Sequence, residues 1–282
     1  MLAPQTKKPS AFARLYQHLY WSLRKSLALG RFSFSLTLNY QAEIIIWMIA
    51  GLFPLVMMFV WLSLASEGPV AGYSHQDFIN YYLILFFVRQ MTVVWLVWEM
   101  DPEIRLGRLS PLLLKPLSPY WWHFANHVTD KVIRLPILLV FLTLAFGLAR
   151  QFPPFEVLNL FIFLLSLSLA FLMRFNLGFC IGSLAFWLHQ ATSFEHLFFS
   201  LYTVFSGVLA PIDLFPPLLR QLISFSPFPY MINFPVKVFL GELSFWQIVQ
   251  GLLIQLFWVG FFALLKTWLW RKGLRHYGAV GA

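Results

Sequence analysis

The sequence alternates between long apolar runs and short connections that are basic or rich in proline. A helix needs about 20 mostly apolar residues to cross the hydrocarbon core of a bilayer, which is roughly 30 Å thick. Six runs reach this length, approximately at residues 42–65, 78–98, 131–149, 157–188, 194–210 and 246–269. Since 60% of the residues are hydrophobic and only 11% are charged, the chain has too little polar surface to cover a water-soluble globule. We therefore predict an all-α integral membrane protein with six transmembrane helices.

Most basic residues lie on one side of the predicted membrane. With the N-terminus in the cytoplasm, 15 of the 20 Lys and Arg residues fall before span one, around the loop between spans two and three, or at the end of span six. Arg150, Arg220 and Lys237 fall on the opposite side. This bias predicts two cytoplasmic termini and an even number of spans, although a fourth span that ended near Met173 would change the parity. It also explains the net charge of +9 without a nucleic-acid partner, because the bases form no stripe interleaved with aromatic residues.

The layout divides the chain into residues 1–40 as a cytoplasmic N-terminus, 41–270 as the six-span domain and 271–282 as a cytoplasmic tail. In the N-terminus, apolar residues recur at spacings of three and four, namely Phe12, Leu15, Leu19, Leu23 and Leu27. This spacing places them on one face of a helix. It predicts an amphipathic helix on the cytoplasmic leaflet, with a helix packed against its own protein as the alternative.

The segment 211–241 is apolar but too rich in proline to form a span. Proline removes a backbone donor and clashes with the preceding turn, so no helix can continue through this segment. Short helices near 215–225 and 235–241 are expected, and they predict a re-entrant helical hairpin that dips from the outer face. The alternative is a proline-rich loop among the lipid headgroups. The residues that define the segment are Gly207, Pro211, Pro216, Pro217, Pro227, Pro229 and Pro235.

The predicted cytoplasmic loop 99–120 mixes charged residues with leucine and proline. Its charged residues are Glu99, Asp101, Glu103, Arg105, Arg108 and Lys115. The pattern predicts a short amphipathic helix over 102–109 that ends before Pro111. Ser118 followed by Pro119 predicts the start of the next helix, and Asp130 and Arg134 are spaced to pair on its first turns.

At these positions the chain resembles the membrane subunits of type-2 ABC exporters, the bacterial ABC-2 family transporter proteins. The likeness rests on Glu-Ile-Arg-Leu-Gly at 103–107, Leu-Leu-Lys-Pro at 113–116, Ser-Gly-Val-Leu-Ala-Pro at 206–211, Leu-Phe-Pro at 214–216, Ser-Pro-Phe at 226–228 and Phe-Pro at 234–235, before Gly241. The resemblance implies an interfacial connecting helix, a coupling helix in the loop and outer re-entrant helices. It also implies a bacterial inner (plasma) membrane location, a second permease that is identical or related, and two separate ABC ATPase subunits.

The chain contains no G-x-x-x-x-G-K-[ST] loop to cradle nucleotide phosphates. We therefore expect that it is not an enzyme, that it binds no cofactor, and that the partner ATPase binds ATP and Mg. Glu103, Arg105 and Arg108 are the residues expected to couple the permease to that ATPase, with Glu99 and Asp101 as orienting groups. The alternative function is a gradient-driven secondary transporter or channel, which would need acidic residues in the membrane. The candidates for that role are Glu43 and Glu195.

Two arginines, Arg89 and Arg174, fall within predicted spans, where a charge costs at least about 2.5 to 3.5 kcal/mol. One interpretation places them on the transport pathway, facing an anionic group of the cargo. The other pairs them structurally with Glu43 or Glu195, or has their side chains reach a membrane interface. His123 and His127 are four residues apart, with Asp130 one turn on, and together they imitate a metal site. The glutamate of an H-E-x-x-H motif is missing, however, so no metal-binding or catalytic residue is assigned.

Overall fold

The computed structural model describes residues 49, 51–150, 152–153 and 156–278. The predicted N-terminal amphipathic helix and Glu43 lie outside this part of the chain. The described residues form α-helices and short 3₁₀ turns without a β-strand. The helices are α1 (Phe53–Leu64), α2 (His75–Thr92), α3 (Leu96–Arg105), α4 (Leu109–Leu113), α5 (Pro119–Leu148), α6 (Val157–Ser183), α7 (Thr192–Phe205), α8 (Pro217–Ser224), α9 (Phe228–Met231), α10 (Asn233–Leu240) and α11 (Phe245–His276).

Four helical segments in the described chain are long and apolar enough to cross a membrane. They are His75–Arg105, Pro119–Leu148, Val157–Phe186 and Phe245–His276. The fourth predicted span is therefore one helix that continues past Arg174 instead of ending near Met173. The first predicted span, 42–65, is described only in part. Its described residues include α1, a helix of 12 residues, and most of the residues before α1 lie outside the described chain.

The fifth predicted span, 194–210, is shorter than the hydropathy of the sequence suggests. Its helix, α7, has 14 residues and is thus about 21 Å long, less than the thickness of a hydrocarbon core. The helix ends because Gly207 takes a left-handed backbone conformation, with φ of +98°, which glycine adopts readily. The remaining residues of the predicted span form a bend that leads to the proline-rich segment.

The helix predicted over 102–109 in the cytoplasmic loop is also wrong in its bounds. The structure has two helices there, with α3 ending at Arg105 and α4 beginning at Leu109. Gly107 separates them with φ of +72°, as expected for a glycine after a helix C-terminus. Pro111 does not stop α4, because it lies in the first turn, where its missing N–H has no helical partner to lose.

Helix α2 forms the centre of the molecule. Unlike the other long helices it is buried on most of its surface, with Phe78, Tyr81, Leu85 and Val88 fully inaccessible. It packs between α1, α5, α6 and α10, while α6 also runs along α11. The long helices α5, α6 and α11 instead expose leucine, valine and phenylalanine side chains along one side. These exposed apolar faces are typical of surfaces that contact lipid or another membrane protein.

The helical path of α2 is interrupted before α3. Residues 93–95 are not helical, and Val93 is extended, with φ of −60° and ψ of 138°. A run of β-branched residues, Thr92, Val93 and Val94, precedes Trp95, and such residues have a low helix propensity. The interruption therefore places three non-helical residues inside a segment that is long and apolar enough to cross a membrane.

Candidate functional site

The charged residues of α3 meet the beginning of α5 at its first turns. Glu99 and Glu103 are four residues apart and share one face of α3. An oxygen of Glu99 lies 2.9 Å from Nδ1 of His123, and an oxygen of Glu103 lies 3.0 Å from its Nε2. His127 Nε2 lies 3.6 Å from the same Glu99 oxygen. His123 is buried and bridges both carboxylates, so this junction holds α3 against α5.

The opposite face of α3 is attached to the connection between α6 and α7. The buried carboxylate of Asp101 accepts hydrogen bonds from the backbone N–H of Ala191 and from Nε of Arg105, both at 2.8 Å. Three residues of the predicted loop, Glu99, Asp101 and Glu103, thus attach α3 to α5 and to the connection between α6 and α7. Their partners, His123 and Ala191, were not recognised, because nothing in the sequence places them next to α3.

Beyond this junction the loop is exposed. Arg105 and Arg108 are both accessible, and for Arg108 no ion pair is found among the described residues. Leu106, Leu113 and Leu114 are exposed beside them, with Leu114 at 88%. One further contact ties the loop to the end of α11, where the Ser110 hydroxyl lies 3.0 Å from that of Tyr277. Basic and apolar side chains therefore form an accessible surface, which we call the loop surface (105–115).

The two intramembrane arginines line the same cavity. The cavity has a volume of about 260 Å³ and is lined by Gly51, Arg89, Gln90, Val93, Val94, Trp95, Trp98, Arg174, Glu195, His196 and Phe199. It lies beside the interruption between α2 and α3 and the first turn of α7. Arg174 pairs with Glu195 at 3.4 Å, while Arg89 donates to the carbonyl oxygen of Gly51 at 2.8 Å. The predicted alternative partner of Arg89, Glu43, lies outside the described residues.

The proline-rich segment folds as three short helices, α8 to α10, joined by turns. Pro216 and Pro217 begin α8, Pro227 and Pro229 begin α9, and Pro235 lies in the first turn of α10. Pro211 precedes a 3₁₀ turn. Each proline therefore sits at or near a helix start, where the absent N–H costs little.

The backbone between α7 and this segment is satisfied by side chains from α1 and α2. The Tyr81 hydroxyl lies 3.0 Å from the carbonyl oxygen of Gly207, and Tyr82 and Trp61 donate to the carbonyl oxygen of Leu209 at 3.1 and 3.0 Å. Asn233 contributes its backbone N–H to the carbonyl oxygen of Ser206. Such pairing is what irregular backbone needs where water is scarce.

A polar cluster joins the same segment to the loop before α2. One oxygen of Asp213 accepts hydrogen bonds from Lys237 and, at 2.7 Å, from the hydroxyl of Tyr73. Burial raises the pKa of Asp213, but these two hydrogen bonds outweigh burial and hold the pKa below its usual value. Burial and the bond to this carboxylate raise the pKa of Tyr73. Glu242 lies 3.9 Å from Lys237, and burial raises the pKa of its carboxyl group.

The charged groups around the first turns of α5 pair with one another. Both ring nitrogens of His123 lie within hydrogen-bond distance of glutamates, and Asp130 pairs with Lys131 at 2.8 Å and Arg134 at 2.7 Å. In the part of the chain that the structure describes, no group of three metal-binding side chains is assembled.

The part of the chain that the structure describes contains four helical segments that are long and apolar enough to cross a membrane, and charged residues buried within such segments are often functional. The sequence matches the family described as ABC-2 family transporter protein over residues 29–281, and the chain belongs to this family. It is therefore a membrane subunit, or permease, of an ABC transporter, a class that works with ATPase partners. A comparison with curated proteins gives no match.

Proposed function

We propose that the chain is the permease subunit of an ABC exporter that dimerises with a second permease, identical or related, to form the translocation path. In this proposal it has six spans and two cytoplasmic termini in the bacterial inner membrane. Two separate ATPase subunits bind ATP and Mg, and the chain itself has no enzymatic activity. The family match supports the permease role, and the distribution of Lys and Arg supports the orientation.

The observation that carries the proposal is the double attachment of α3. Glu99 and Glu103 attach it to α5 through His123, and Asp101 attaches it to the connection between α6 and α7. A displacement of the loop surface (105–115) would therefore be transmitted both to α5 and to the connection between α6 and α7. An ATPase that binds the loop differently in its two nucleotide states would use α3 as the lever that shifts the permease between two conformations.

Co-expression with candidate ABC ATPase subunits, beginning with any that a neighbouring gene encodes, tests the proposal. We expect the ATPase to co-purify with a tagged permease, and the double variant Arg105→Glu, Arg108→Glu to reduce co-purification and ATP hydrolysis by at least about fivefold, as expected for reversed charges at an interface. Lys272→Glu is the matched control, since this exposed base lies on α11 and contacts Trp268 of the same helix.

The proposal fails if no neighbouring ATPase co-purifies and the double variant transports as well as the unmodified chain. A control variant that loses as much ATPase as the double variant would show that charge reversal acts through folding or insertion instead of through the loop surface. Size-exclusion profiles of the purified variants separate these two results.

A further inference from the structure

We infer that the cavity between α2, α6 and α7 binds the phosphate or carboxylate headgroup of an anionic amphiphile. The inference rests on the proposed function only where it names this amphiphile as the exported cargo. The observations that carry it are the charge of the cavity, an unsatisfied carboxylate oxygen in its wall, and the apolar character of its remaining lining.

The described lining carries two guanidinium groups and one carboxylate. Arg174 and Glu195 pair, but Arg89 has only the carbonyl of Gly51 as a hydrogen-bond acceptor among the residues described, and no carboxylate lies within ion-pair distance of it there. Arg89 is 9% exposed. An arginine that is buried at membrane depth without a counter-ion is costly, and an anionic headgroup would supply that counter-ion.

The pair between Arg174 and Glu195 is itself incomplete. It has one contact, at 3.4 Å, and the second oxygen of Glu195 is buried without a hydrogen-bond partner in the described chain. Glu195 is 7% exposed, so water does not satisfy this oxygen freely. A headgroup with a hydroxyl or ammonium group beside its anion would give Glu195 a donor and give both arginines an acceptor.

The remaining wall suits the first part of an apolar tail. Val93, Val94, Trp95, Trp98 and Phe199 contribute to it, and Trp98 packs edge-on against His196 at 5.2 Å between ring centroids. A volume of about 260 Å³ is smaller than the usual pocket for a whole drug-sized molecule. The cavity therefore fits a headgroup and the adjoining carbons, while the rest of the tail extends into the surrounding apolar surface.

The position of the cavity agrees with loading from the cytoplasmic leaflet. It is lined by the first turn of α7, and the connection before that turn holds Asp101 of α3. In the proposed topology this is the cytoplasmic end of the molecule. An exporter takes its cargo from that side, so a headgroup site at this depth would hold the cargo before it crosses.

Binding is tested with the purified full chain in detergent and a fluorescently labelled phosphatidylglycerol as probe. We expect unlabelled phosphatidylglycerol to compete, and phosphatidylcholine and inorganic phosphate to compete at least about tenfold more weakly, because one lacks a net negative charge and the other a tail. Equal competition by phosphatidylcholine would overturn the inference.

Substitutions locate the site. Arg89→Gln should weaken binding about tenfold or more, since a hydrogen bond to a charged group is lost, whereas Arg89→Lys should retain most of it. Arg174→Gln with Glu195→Gln removes the second arginine without leaving an unpaired charge and should weaken binding as well. Arg150→Gln, an exposed arginine far from the cavity lining, is the matched control. Unchanged binding in both cavity variants would overturn the inference, and monodisperse elution of each variant establishes that it folds.

The variant Glu43→Gln tests whether the anion beside Arg89 is a bound headgroup or the carboxylate of Glu43 itself. Unchanged affinity in this variant supports an external headgroup. A rise in affinity of about tenfold or more would mean that the Glu43 carboxylate normally occupies the cavity, which overturns the inference.

The assay requires no ATPase, so the inference and the proposed function fail separately. If the chain prefers the anionic probe but no ATPase co-purifies with it, the headgroup site is supported and the exporter function is not. ATP-dependent movement of labelled phosphatidylglycerol in vesicles that contain both subunits would establish an amphiphile of this class as cargo. Binding without movement would identify a structural lipid and overturn the cargo assignment.

Discussion

The carboxylate of Asp101 accepts a hydrogen bond at 2.8 Å from the backbone N–H of Ala191, a residue 90 positions further along the chain. Both residues are buried. The bond therefore fixes α3, which leads into the loop surface (105–115), to the turn from which α7 begins. A side chain of α3 thus satisfies the backbone N–H at the N-cap position of a separate helix.

Removing this acceptor should destabilise the junction. Asp101→Ala leaves the N–H of Ala191 buried without a partner, and we expect a loss of about 1 to 3 kcal/mol in unfolding free energy and a lower ATP hydrolysis by the assembled transporter. Asp101→Asn is the matched control, because its amide oxygen can still accept the bond while the charge is removed. Thermal unfolding in detergent measures the effect. Equal melting temperatures for Asp101→Ala and the unmodified chain would contradict this role of Asp101.

A glycine in α11 allows the last long helix to approach α10. A Cβ at Gly251 would collide with the ring of Phe234, whereas a Cβ at Gly260 of the same helix would meet nothing within 4 Å. We expect Gly251→Ala to destabilise the protein by about 1 to 3 kcal/mol through overpacking, and Gly260→Ala to be neutral or slightly stabilising. The melting temperatures of the two variants in the same detergent provide the comparison. A similar effect of both would mean that α11 does not rely on this close contact.

The polar cluster around Asp213 should make the thermal stability of the protein depend on pH. Its pKa lies below the ordinary value of 3.8 because the bonds from Lys237 and Tyr73 outweigh burial. A carboxyl group whose pKa is lowered by folding contributes stability above its unfolded pKa, and this contribution disappears as the pH falls through its folded pKa. Asp213→Asn should therefore lower the melting temperature near neutral pH, and the difference from the unmodified chain should shrink below about pH 4.

Ser226→Asn is a suitable comparison for Asp213→Asn, because Ser226 bonds only to the carbonyl oxygen of Ile223 in the described structure and carries no charge. Its melting temperature should follow that of the unmodified chain across the same pH range. A difference between Asp213→Asn and the unmodified chain that stays constant with pH would show that the charge of Asp213 does not stabilise the cluster.

Cysteine labelling tests the orientation of the chain. The native Cys180 is buried, and its replacement by alanine gives a background without thiols. In that background a membrane-impermeant maleimide applied to intact cells should label Arg220→Cys, and should label Arg108→Cys only after the membrane is permeabilised. Labelling of position 108 but not position 220 from outside would invert the proposed topology.

Hydropathy was sufficient to locate the long helices. Residues 131–149, 157–188 and 246–269 fall within or nearly within α5, α6 with its 3₁₀ extension, and α11, because a bilayer imposes one length and one polarity on any spanning helix. Proline likewise predicted that 211–241 would form short helices, since its missing N–H acts locally. Both features depend on neighbouring residues alone.

The interruption at residues 93–95 and the early end of α7 did not follow from the sequence in the same way. β-branched residues are common in continuous spans, and a single glycine such as Gly207 is tolerated in many helices. Here Gly207 takes a φ of +98° after the end of α7, and its carbonyl oxygen accepts a hydrogen bond from the hydroxyl of Tyr81, a residue from a different helix. That pairing depends on how the helices pack.

The site residues also divide into features that the local sequence predicts and features that depend on how the helices pack. The spacing of Glu99 and Glu103 indicated a shared helical face, but His123 as their common partner required the contact between α3 and α5. Glu195 was one of two proposed partners for Arg174, and the structure pairs them. The cavity that also contains Arg89 depends on three helices meeting, which no pattern along the chain predicts.

The non-helical residues between α2 and α3 have a mechanical consequence. Because α2 is largely buried and α3 leads into the loop, a turn of α3 relative to α2 would have to be absorbed by the backbone torsions of residues 93–95. The same residues form part of the cavity wall. A continuous helix would carry a push along its axis without changing shape, whereas a torsional change at residues 93–95 would also move part of the wall of the arginine cavity.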